Sequence, residues 1–239
     1  MNVNFISIQG SYKNIELSLF KDSQFCFEAE LDAKTGSSLL IPSIDQILTE
    51  NSLILDDLSF IAVNSGPGAF TSLRVVIATV NAVAFSSNVP LIGIDGLDSL
   101  AMECFSLLDK QKYKVSMVVS LLNAFNKDVF YGVYKVENES NLFLQKPNGY
   151  QQIDFFLERL KKDYSEDHIL FVGNGVSLFK KEIETIFYDK FLLQENLPVV
   201  VSSRQIGELA LKKWGQGQGL VKELSPGYLK QQIFKPKYS

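Results

Sequence analysis

Three strand-like segments open this chain, and helices then alternate with strands along the rest of its first half. The first segment, Val3–Ile8, alternates apolar and polar residues as a half-buried strand does. The other predicted elements of this half are strands at 15–20 and 25–31, a helix at 37–51, a strand at 58–65, a helix running to about Ser86, a strand at 90–96 and a helix at 97–109. This order predicts an α/β fold that begins with an antiparallel strand meander.

The second half repeats this organisation weakly. Its predicted elements are strands at 114–122, 128–136 and 141–146, a helix at 152–164, a strand at 168–175 and helices at 176–188 and 201–219. The tail from Ser225 onwards has no strong period. No linker rich in Pro, Gly or Ser separates the halves, so the charged stretch Asp109–Lys114 is taken as the boundary, with a first lobe at 1–109.

The helices carry recognisable start signals. Ser37 or Ser38 is a candidate N-cap for the first helix, and Ser202 or Ser203 for the last. Pro42 is compatible with the first helix if it lies near the first turn. Leu40, Ile44, Ile47 and Leu48 fall on one face of that helix.

Composition excludes several classes of protein. The chain has 239 residues, 46% hydrophobic, and a formal net charge of −4. It therefore lacks the broad positive field of an autonomous nucleic-acid-binding protein, and any contact with RNA is expected to be indirect, through a partner. The first ten residues do not resemble a signal peptide, and the longest apolar run, Val75–Phe85, is too short to span a bilayer.

The residues that usually carry hydrolytic or metal chemistry are scarce. Cys26 and Cys104 are expected to be buried thiols in a reducing cytoplasm. His168 is the single histidine and lies at the start of an apolar strand, which argues against a catalytic triad or a zinc site. The acid pairs Asp56–Asp57 and Glu166–Asp167 are adjacent in sequence, so they are expected to be solvated loop charges.

The segment NSGPGAFTSLRVV at 64–76 offers a choice between a phosphate loop and a structural turn. Ser65, Gly66, Pro67 and Gly68 form the turn, which has neither the lysine nor the glycine spacing of known phosphate loops. Pro67 also removes one N–H group that a phosphate would use. A structural turn is favoured, and the VGNG segment at 172–175 is interpreted in the same way.

The helix after this turn is apolar on nearly every side. Such a helix is either fully buried or covered by another chain. On pattern alone, the buried core helix is the favoured alternative.

The motif SGPGAFTSLRVV resembles the SGPGSFTGLRIG motif of the TsaB (YeaZ) family, with differences at Ala69, Ser72, Val75 and Val76. The other features also occur in the order that this family shows: the opening strand-turn-strand and the helix around Pro42 before the motif, then PLIGIDGLDSLA, VGNG and SPGYLK after it. The resemblance covers essentially the full length. It implies an α/β fold of two actin-like (ASKHA, ribonuclease H-like) lobes, each a mixed sheet flanked by helices, with a second lobe at 110–217 and a C-terminal segment, about 218–239, that returns to the first lobe.

The resemblance also implies a function in forming threonylcarbamoyladenosine beside the anticodon of transfer RNA. The chain would be a non-catalytic subunit that binds TsaD, with the ATPase TsaE joining them, or that forms a homodimer when alone. The implied interface lies on the helices at 39–48 and 70–85, and its residues are Leu40, Ile44, Ile47, Phe70, Thr71, Leu73, Arg74, Ile77, Val80 and Asn81.

The same family implies a degenerate nucleotide site at Gln9, Ser11, Asn123, Gly173 and Gly175. Gln9 and Asn123 stand where the family has acidic residues, and a neutral amide is a poor ligand for a hard cation. No metal and no tightly bound cofactor are expected, although ATP or ADP could bind at the interface of the complex. The alternative is a self-standing actin-like enzyme such as a small-molecule kinase, and a peptidase is disfavoured by the single His168.

Overall fold

The computed structural model describes residues 3–188, 190–194, 196–227 and 229. The first sheet has six strands in the order β12-β5-β4-β1-β2-β3. Its strands are β1 (Phe5–Gly10), β2 (Asn14–Lys21), β3 (Gln24–Asp32), β4 (Phe60–Gly66), β5 (Leu91–Asp95) and β12 (Leu220–Val221). The predicted meander is confirmed, because β1, β2 and β3 pair antiparallel, while β4 is parallel to both β1 and β5.

The second sheet has the order β11-β10-β6-β7-β8, with β9 also paired to β7. Its strands are β6 (Met117–Asn123), β7 (Asp128–Val136), β8 (Leu142–Leu144), β9 (Gly149–Gln152), β10 (Ile169–Val172) and β11 (Phe191–Leu192). Both sheets mix parallel and antiparallel pairs, as predicted. The short strands β9, β11 and β12 were not predicted, because they have four residues or fewer and little periodicity.

Helices form layers on both sides of each sheet. The helices are α1 (Gly36–Glu50), α2 (Phe70–Ser87), α3 (Gly96–Leu107), α4 (Ile153–Asp163), α5 (Asn174–Leu178), α6 (Lys180–Phe187) and α7 (Ser203–Gly215), with a short 3-10 helix at Leu55–Asp57. α1 and α2 pack side by side on the first sheet, and α4 and α6 cover the second. α3 and α7 lie in the middle layer, where one apolar cluster joins Phe60 of the first sheet to Leu170 of the second.

The start of α1 differs from the prediction. The helix begins at Gly36 after Thr35, with no side-chain cap, and Ser38 instead donates its hydroxyl to the carbonyl of Thr35 at 2.9 Å. Packing decides this start, because a Cβ on Gly36 would lie 2.3 Å from a side-chain carbon of Ile15. Pro42 consequently lies in the second turn of the helix, where its exposed position lets water reach the carbonyl that it leaves without a helical donor.

The later helices also differ in part. The helix predicted at 176–188 is interrupted at Phe179, whose side chain is buried in the core of the second sheet. The N-cap of α7 is Ser202, one of the two predicted residues, and its hydroxyl accepts a hydrogen bond from the Gln205 amide at 3.1 Å.

The predicted second lobe, 110–217, is too long. α7 packs against β1, β2, β4 and β5 of the first sheet, so the chain returns to the first lobe by Ser203. β12 then pairs with β5. The tail from Ser225, for which the sequence predicts no regular element, lies largely outside the described residues.

By length and composition alone, α2 is long and apolar enough to cross a membrane. Its buried residues, including Val76 and Val80, pack in the cluster between α1 and the first sheet. The buried core helix favoured from the sequence is therefore confirmed for one face of α2 only, because 39% of the helix is buried and its other face is exposed.

Candidate functional site

The SGPG turn connects the end of β4 to the start of α2. Gly66 has φ = +105°, a conformation that favours glycine, and the Gly66–Pro67 peptide bond is cis. Asn64 accepts a hydrogen bond from the Gly66 amide at 2.9 Å, and the Ser65 hydroxyl donates to the carbonyl of Ile94 at 3.1 Å. The turn therefore uses its polar groups to hold its own conformation.

The C-terminal segment lies across this turn. The Gly227 amide donates to the carbonyl of Ser65 at 2.7 Å, and a Cβ on Gly66 would come within 3.3 Å of the Gly227 carbonyl oxygen. Asn81 of α2 makes two hydrogen bonds of 2.9 Å with the backbone of Leu224, one through each atom of its amide. The C-terminal segment is therefore held against the turn and against α2 by backbone and side-chain hydrogen bonds.

Six residues of the predicted partner interface have buried side chains. They lie in the cluster between α1, α2 and the first sheet, and they are Leu40, Ile44, Ile47, Leu73, Ile77 and Val80. The prediction that these side chains contact a partner is wrong for this conformation, because the apolar face of each helix packs inward. Asn81 is likewise engaged by Leu224 within the chain.

The remaining predicted interface residues are more accessible. Thr71 and Arg74 are exposed and Phe70 is half-buried, with the Arg74 guanidinium 3.8 Å from the centroid of the Phe70 ring. The same exposed side of α2 continues through Ala78 and Ala82.

Large apolar side chains are exposed at the outer surface of these two helices. Phe85 near the end of α2 is 88% exposed, and Ile41 of α1 is 57% exposed. Because α1 and α2 pack side by side, this outer surface, here named the α1–α2 face, is a continuous helical layer. Periodicity missed Phe85 and Ile41 as surface residues because they look like further members of an apolar helix.

The predicted nucleotide residues Gln9 and Ser11 lie between the two lobes and are buried. Gln9 accepts a hydrogen bond from the Asn64 amide at 2.9 Å, so its side chain is satisfied within the chain. The cavity that remains beside these residues has a volume of about 10 Å³. A single water molecule needs about 10–15 Å³, so this cavity, as the described residues form it in this conformation, has no room for a nucleotide.

Tyr12 closes the same cleft from the β1–β2 turn. Its hydroxyl donates to the carbonyl of Asn123 on the second sheet at 2.6 Å, and its ring lies 6.2 Å from that of Phe125. Burial raises the pKa of Tyr12 to about 12, so the hydroxyl stays a proton donor at neutral pH. The Asn123 amide donates in turn to the side chain of Asn174 at 2.8 Å.

Gly173 and Gly175 form a second tight turn, after β10. Gly173 has φ = +105°, and a Cβ there would lie 2.2 Å from the carbonyl oxygen of Leu121. A Cβ on Gly175 would lie 3.0 Å from the same oxygen. These glycines let the turn pack closely on β6, and VGNG is a strand-to-helix turn, as predicted.

A second polar contact between the lobes joins α3 to the second sheet. The amide of Asn148 donates to Asp95 at 3.1 Å and to Asp98 at 2.7 Å, and the Tyr134 hydroxyl donates to Asp98 at 2.8 Å. Burial raises the pKa of Asp95 to about 6. Asp95 also caps α3 through the amides of Leu97 and Asp98.

Catalytic groups are not gathered at either turn. Cys104 is buried as expected, but Cys26 is exposed on the edge strand β3, so the prediction of a buried thiol is wrong for Cys26. His168 is exposed at the far end of β10, and no group of three or more His, Cys, Asp or Glu residues suited to a metal ion occurs in the part of the chain that the structure describes. Sequence reasoning missed Tyr12, Asn64 and Asn148, because single polar residues in turns and strand ends carry no local signal of their distant partners.

Comparison with known proteins places these features in a family. A family model described as TsaD, tRNA N6-adenosine threonylcarbamoyltransferase, matches residues 30–197. The chain belongs to this family, and within it to the TsaB (YeaZ) group. A TsaB protein of Haemophilus influenzae, described as a tRNA threonylcarbamoyladenosine biosynthesis protein, is 23% identical over 97% of this chain and 95% of its own length.

Two further relatives agree. A TsaB protein of Buchnera aphidicola from Schizaphis graminum is 24% identical over 82% of this chain and 90% of its own length. The solved structure of YeaZ from Pseudomonas aeruginosa has a TM-score of 0.72 and 20% identity, and the match covers 95% of this chain and 100% of that one. The fold predicted from the family resemblance, two actin-like lobes, is confirmed.

Proposed function

We propose that this chain is a non-catalytic partner subunit in the formation of threonylcarbamoyladenosine in transfer RNA, acting with a TsaD-like protein. Family membership supports the pathway, because the TsaB relatives are named for it. The non-catalytic role is supported mainly by the cleft between the lobes. The cavity beside Gln9 has a volume of only about 10 Å³, and the hydrogen bond from Tyr12 to Asn123 closes the cleft.

The residues in that cleft also support a non-catalytic subunit. Gln9 and Asn123 supply neutral amides where a metal-nucleotide complex would require carboxylates. Gln9 already bonds to Asn64, and Asn123 to Asn174 and Phe125. The alternative from the sequence is a kinase-like activity. It would require the hydrogen bonds of Gln9 and Asn123, and the bond from Tyr12, to break before a nucleotide could enter the cleft.

The surface proposed for the partner is the α1–α2 face. It combines the exposed Phe85 and Ile41 with the small residues Ala78 and Ala82, which allow another helix to approach closely. Exposed large apolar side chains on a helical layer are typical of a protein interface. The homodimer proposed for the isolated chain would use the same surface.

The assembly is tested by mixing this chain with the TsaD-like protein of the same organism and measuring the mass of the complex by size exclusion with light scattering. We expect a stable complex at micromolar concentrations, and we expect threonylcarbamoyl transfer to require both proteins with a TsaE-like ATPase. Two folded proteins that never associate and transfer that is independent of this chain would contradict the proposal.

Substitutions on the outer surface separate assembly from folding. Phe85→Asp and Ala78→Asp place a charge on the α1–α2 face and should weaken complex formation at least tenfold. Phe155→Asp is the matched control, because Phe155 is an exposed aromatic residue on α4, over the other sheet. Val76→Asp and Val80→Asp are unsuitable, since both side chains are fully buried and their substitution would unfold the chain.

The proposed ligands follow from this arrangement. ATP or ADP would bind at the interface of the complex, transfer RNA would contact the partner, and the complex would act in the cytoplasm without a membrane. Calorimetry with ATP and magnesium distinguishes the alternatives: we expect no heat of binding for the isolated chain. Micromolar binding with turnover by this chain alone would support the kinase-like enzyme instead.

A further inference from the structure

The edge strand β3 carries features that the proposed TsaD contact does not use. β3 lies at the end of the first sheet and pairs only with β2 among the described strands. It is nine residues long, and every one of its residues is exposed or half-buried. The backbone groups along its outer side are therefore open to pairing with another strand.

Proteins usually protect such an edge. Lysine, proline, a bulge in mid-strand or a very short strand prevents pairing with another chain. The sequence QFCFEAELD contains neither lysine nor proline, but a bulge lies at Cys26 of β3, because Leu19 pairs with Phe27 and Phe20 pairs with Phe25. Phe25 and Phe27 are 37% and 38% exposed. The bulge is confined to the first residues of β3, so residues 27–32 form a regular strand whose protection against pairing comes from its acidic side chains alone.

All the charged residues of β3 are acidic. Glu28, Glu30 and Asp32 project on one face of β3, and Glu30 lies directly opposite Glu16 of β2. Opposed like charges on neighbouring strands are unfavourable. Glu28, Glu30 and Asp32 take no part in the ion pairs found among the described residues. Each accepts one hydrogen bond within the chain, from the Ser203 hydroxyl, the Asn14 side-chain amide and the Lys34 backbone amide respectively, and each side chain remains exposed. These three residues are named the acidic edge.

The negative charge of the acidic edge determines which kind of strand can pair with β3. A second copy of this chain paired through β3 would bring two rows of carboxylates together, which is a repulsive arrangement. An extended segment with lysine or arginine at alternate positions would instead place its cations over the carboxylates, while its backbone continues the sheet.

A groove beside Phe25 adds a place for one larger side chain. It has a volume of about 610 Å³, and Phe25, Leu211 and Arg204 are among the residues that line it. The Arg204 guanidinium lies 4.7 Å from the centroid of the Phe25 ring and is held by Glu208 at 3.0 Å. The groove lies at the end of β3 away from Asp32, so the edge offers a groove at its first residues and carboxylates at its last.

We propose that the edge of β3 is a docking site for an extended, lysine- or arginine-bearing segment of a partner protein, which adds to the first sheet as a further antiparallel or parallel strand. This site is separate from the α1–α2 face, so its failure would leave the proposed function untouched.

The test uses the full chain and three labelled ten-residue peptides. In the first peptide lysine alternates with valine, in the second glutamate replaces each lysine, and the third keeps the lysines but replaces two central valines with proline. Fluorescence anisotropy measures binding, and hydrogen exchange with mass spectrometry measures protection of residues 24–32. We expect the first peptide alone to bind at low salt, with at least fivefold slower exchange in β3.

Charge removal on the chain completes the experiment. Glu28→Gln with Glu30→Gln keeps the hydrogen-bond acceptors and should weaken binding of the first peptide at least tenfold. Glu137→Gln with Glu158→Gln removes the same charge from exposed positions in the other lobe and should leave it unchanged. No binding by the first peptide, equal binding by the proline peptide, no protection of β3, an equal loss in the control variant or self-association through β3 would each overturn the proposal.

Discussion

The two glycine turns, SGPG after β4 and VGNG after β10, have the same backbone conformation at one residue but different surroundings. Gly66 and Gly173 both have φ = +105°. Gly173 faces the backbone of Leu121, whereas Gly66 faces a side-chain carbon of Leu73 and the C-terminal segment. The conformation of the VGNG turn is therefore fixed by its packing on β6, whereas the SGPG turn contacts the C-terminal segment. Glycine spacing alone did not distinguish these roles.

The largest effect should come from adding a Cβ at each turn. We expect Gly173→Ala to lower the free energy of unfolding by about 3–5 kcal/mol, because a backbone clash adds to an unfavourable φ. Gly66→Ala should cost about 2 kcal/mol, because the Leu73 side chain can shift. Urea denaturation measures both.

Equal losses at the two positions would show that the surroundings do not matter and that only the backbone conformation does. Gly215→Ala is a useful control, since no atom lies within 4 Å of a Cβ built there.

The second prediction isolates the C-terminal segment at the SGPG turn. Asn81→Ala removes both hydrogen bonds to Leu224 and should cost about 1–2 kcal/mol. Hydrogen exchange should increase at residues 220–227 and remain unchanged at 172–175. Thr79→Ala, on the same helix, should change neither region, and an unchanged exchange rate at 220–227 in Asn81→Ala would show that the segment is held by other contacts.

The third prediction concerns the cleft to which both turns are adjacent. Tyr12→Phe removes the hydrogen bond to Asn123 and should cost about 1 kcal/mol. Exchange should increase near residues 123–125. If the variant also gains micromolar affinity for ATP by calorimetry, Tyr12 is the main barrier to nucleotide entry; we expect no such gain, since Gln9 and Asn123 still lack carboxylates.

The smallest effect should appear at the start of α7, where two carboxylates, rather than a glycine turn, accept hydrogen bonds from the chain. Glu16 accepts a hydrogen bond from the Ser203 amide at 3.1 Å, and Glu103 accepts from the Ser202 hydroxyl at 2.5 Å. Burial, with the charges of Glu28, Glu30 and Glu103, raises the pKa of Glu16 to about 7. The folded state therefore holds this proton more tightly than the unfolded state does.

It follows that the contribution of Glu16 to stability is greatest at acidic pH and is lost as pH rises to about 7. Glu16→Gln should flatten the dependence of unfolding free energy on pH between 5 and 8 and should leave Gly66→Ala and Gly173→Ala with their usual losses. The effect is modest because Glu16 is only half-buried. A wild-type stability that rises over this pH range would contradict the assignment.

Elements with a long hydrophobic period could be predicted from the sequence, and those set by distant contacts could not. The amphipathic α4 and the strand β7 were predicted nearly to their ends, because burial follows a regular period in both. The start of α1 was missed because it is fixed by Gly36 packing on Ile15. Periodicity also identified apolar helix faces at Leu73 and Val80 without telling which side of the helix meets the core.

The candidate site was predictable to the same limited degree. The motif residues Ser65–Gly68 and the neutral amides Gln9 and Asn123 are visible in the sequence, and the family resemblance gives them a context. Tyr12 contacting Asn123 and Asn81 contacting Leu224 join residues more than 100 positions apart, and neither pair has a spacing or composition that marks it.

The middle layer of α3 and α7 has a consequence for how the molecule can be divided. Its apolar cluster draws on both sheets, so each lobe completes the core of the other. A fragment cut between β5 and β6 would expose Phe60 on one side and Leu170 on the other. The two lobes should therefore melt in a single cooperative transition, and the chain should behave as one folding unit despite its internal duplication.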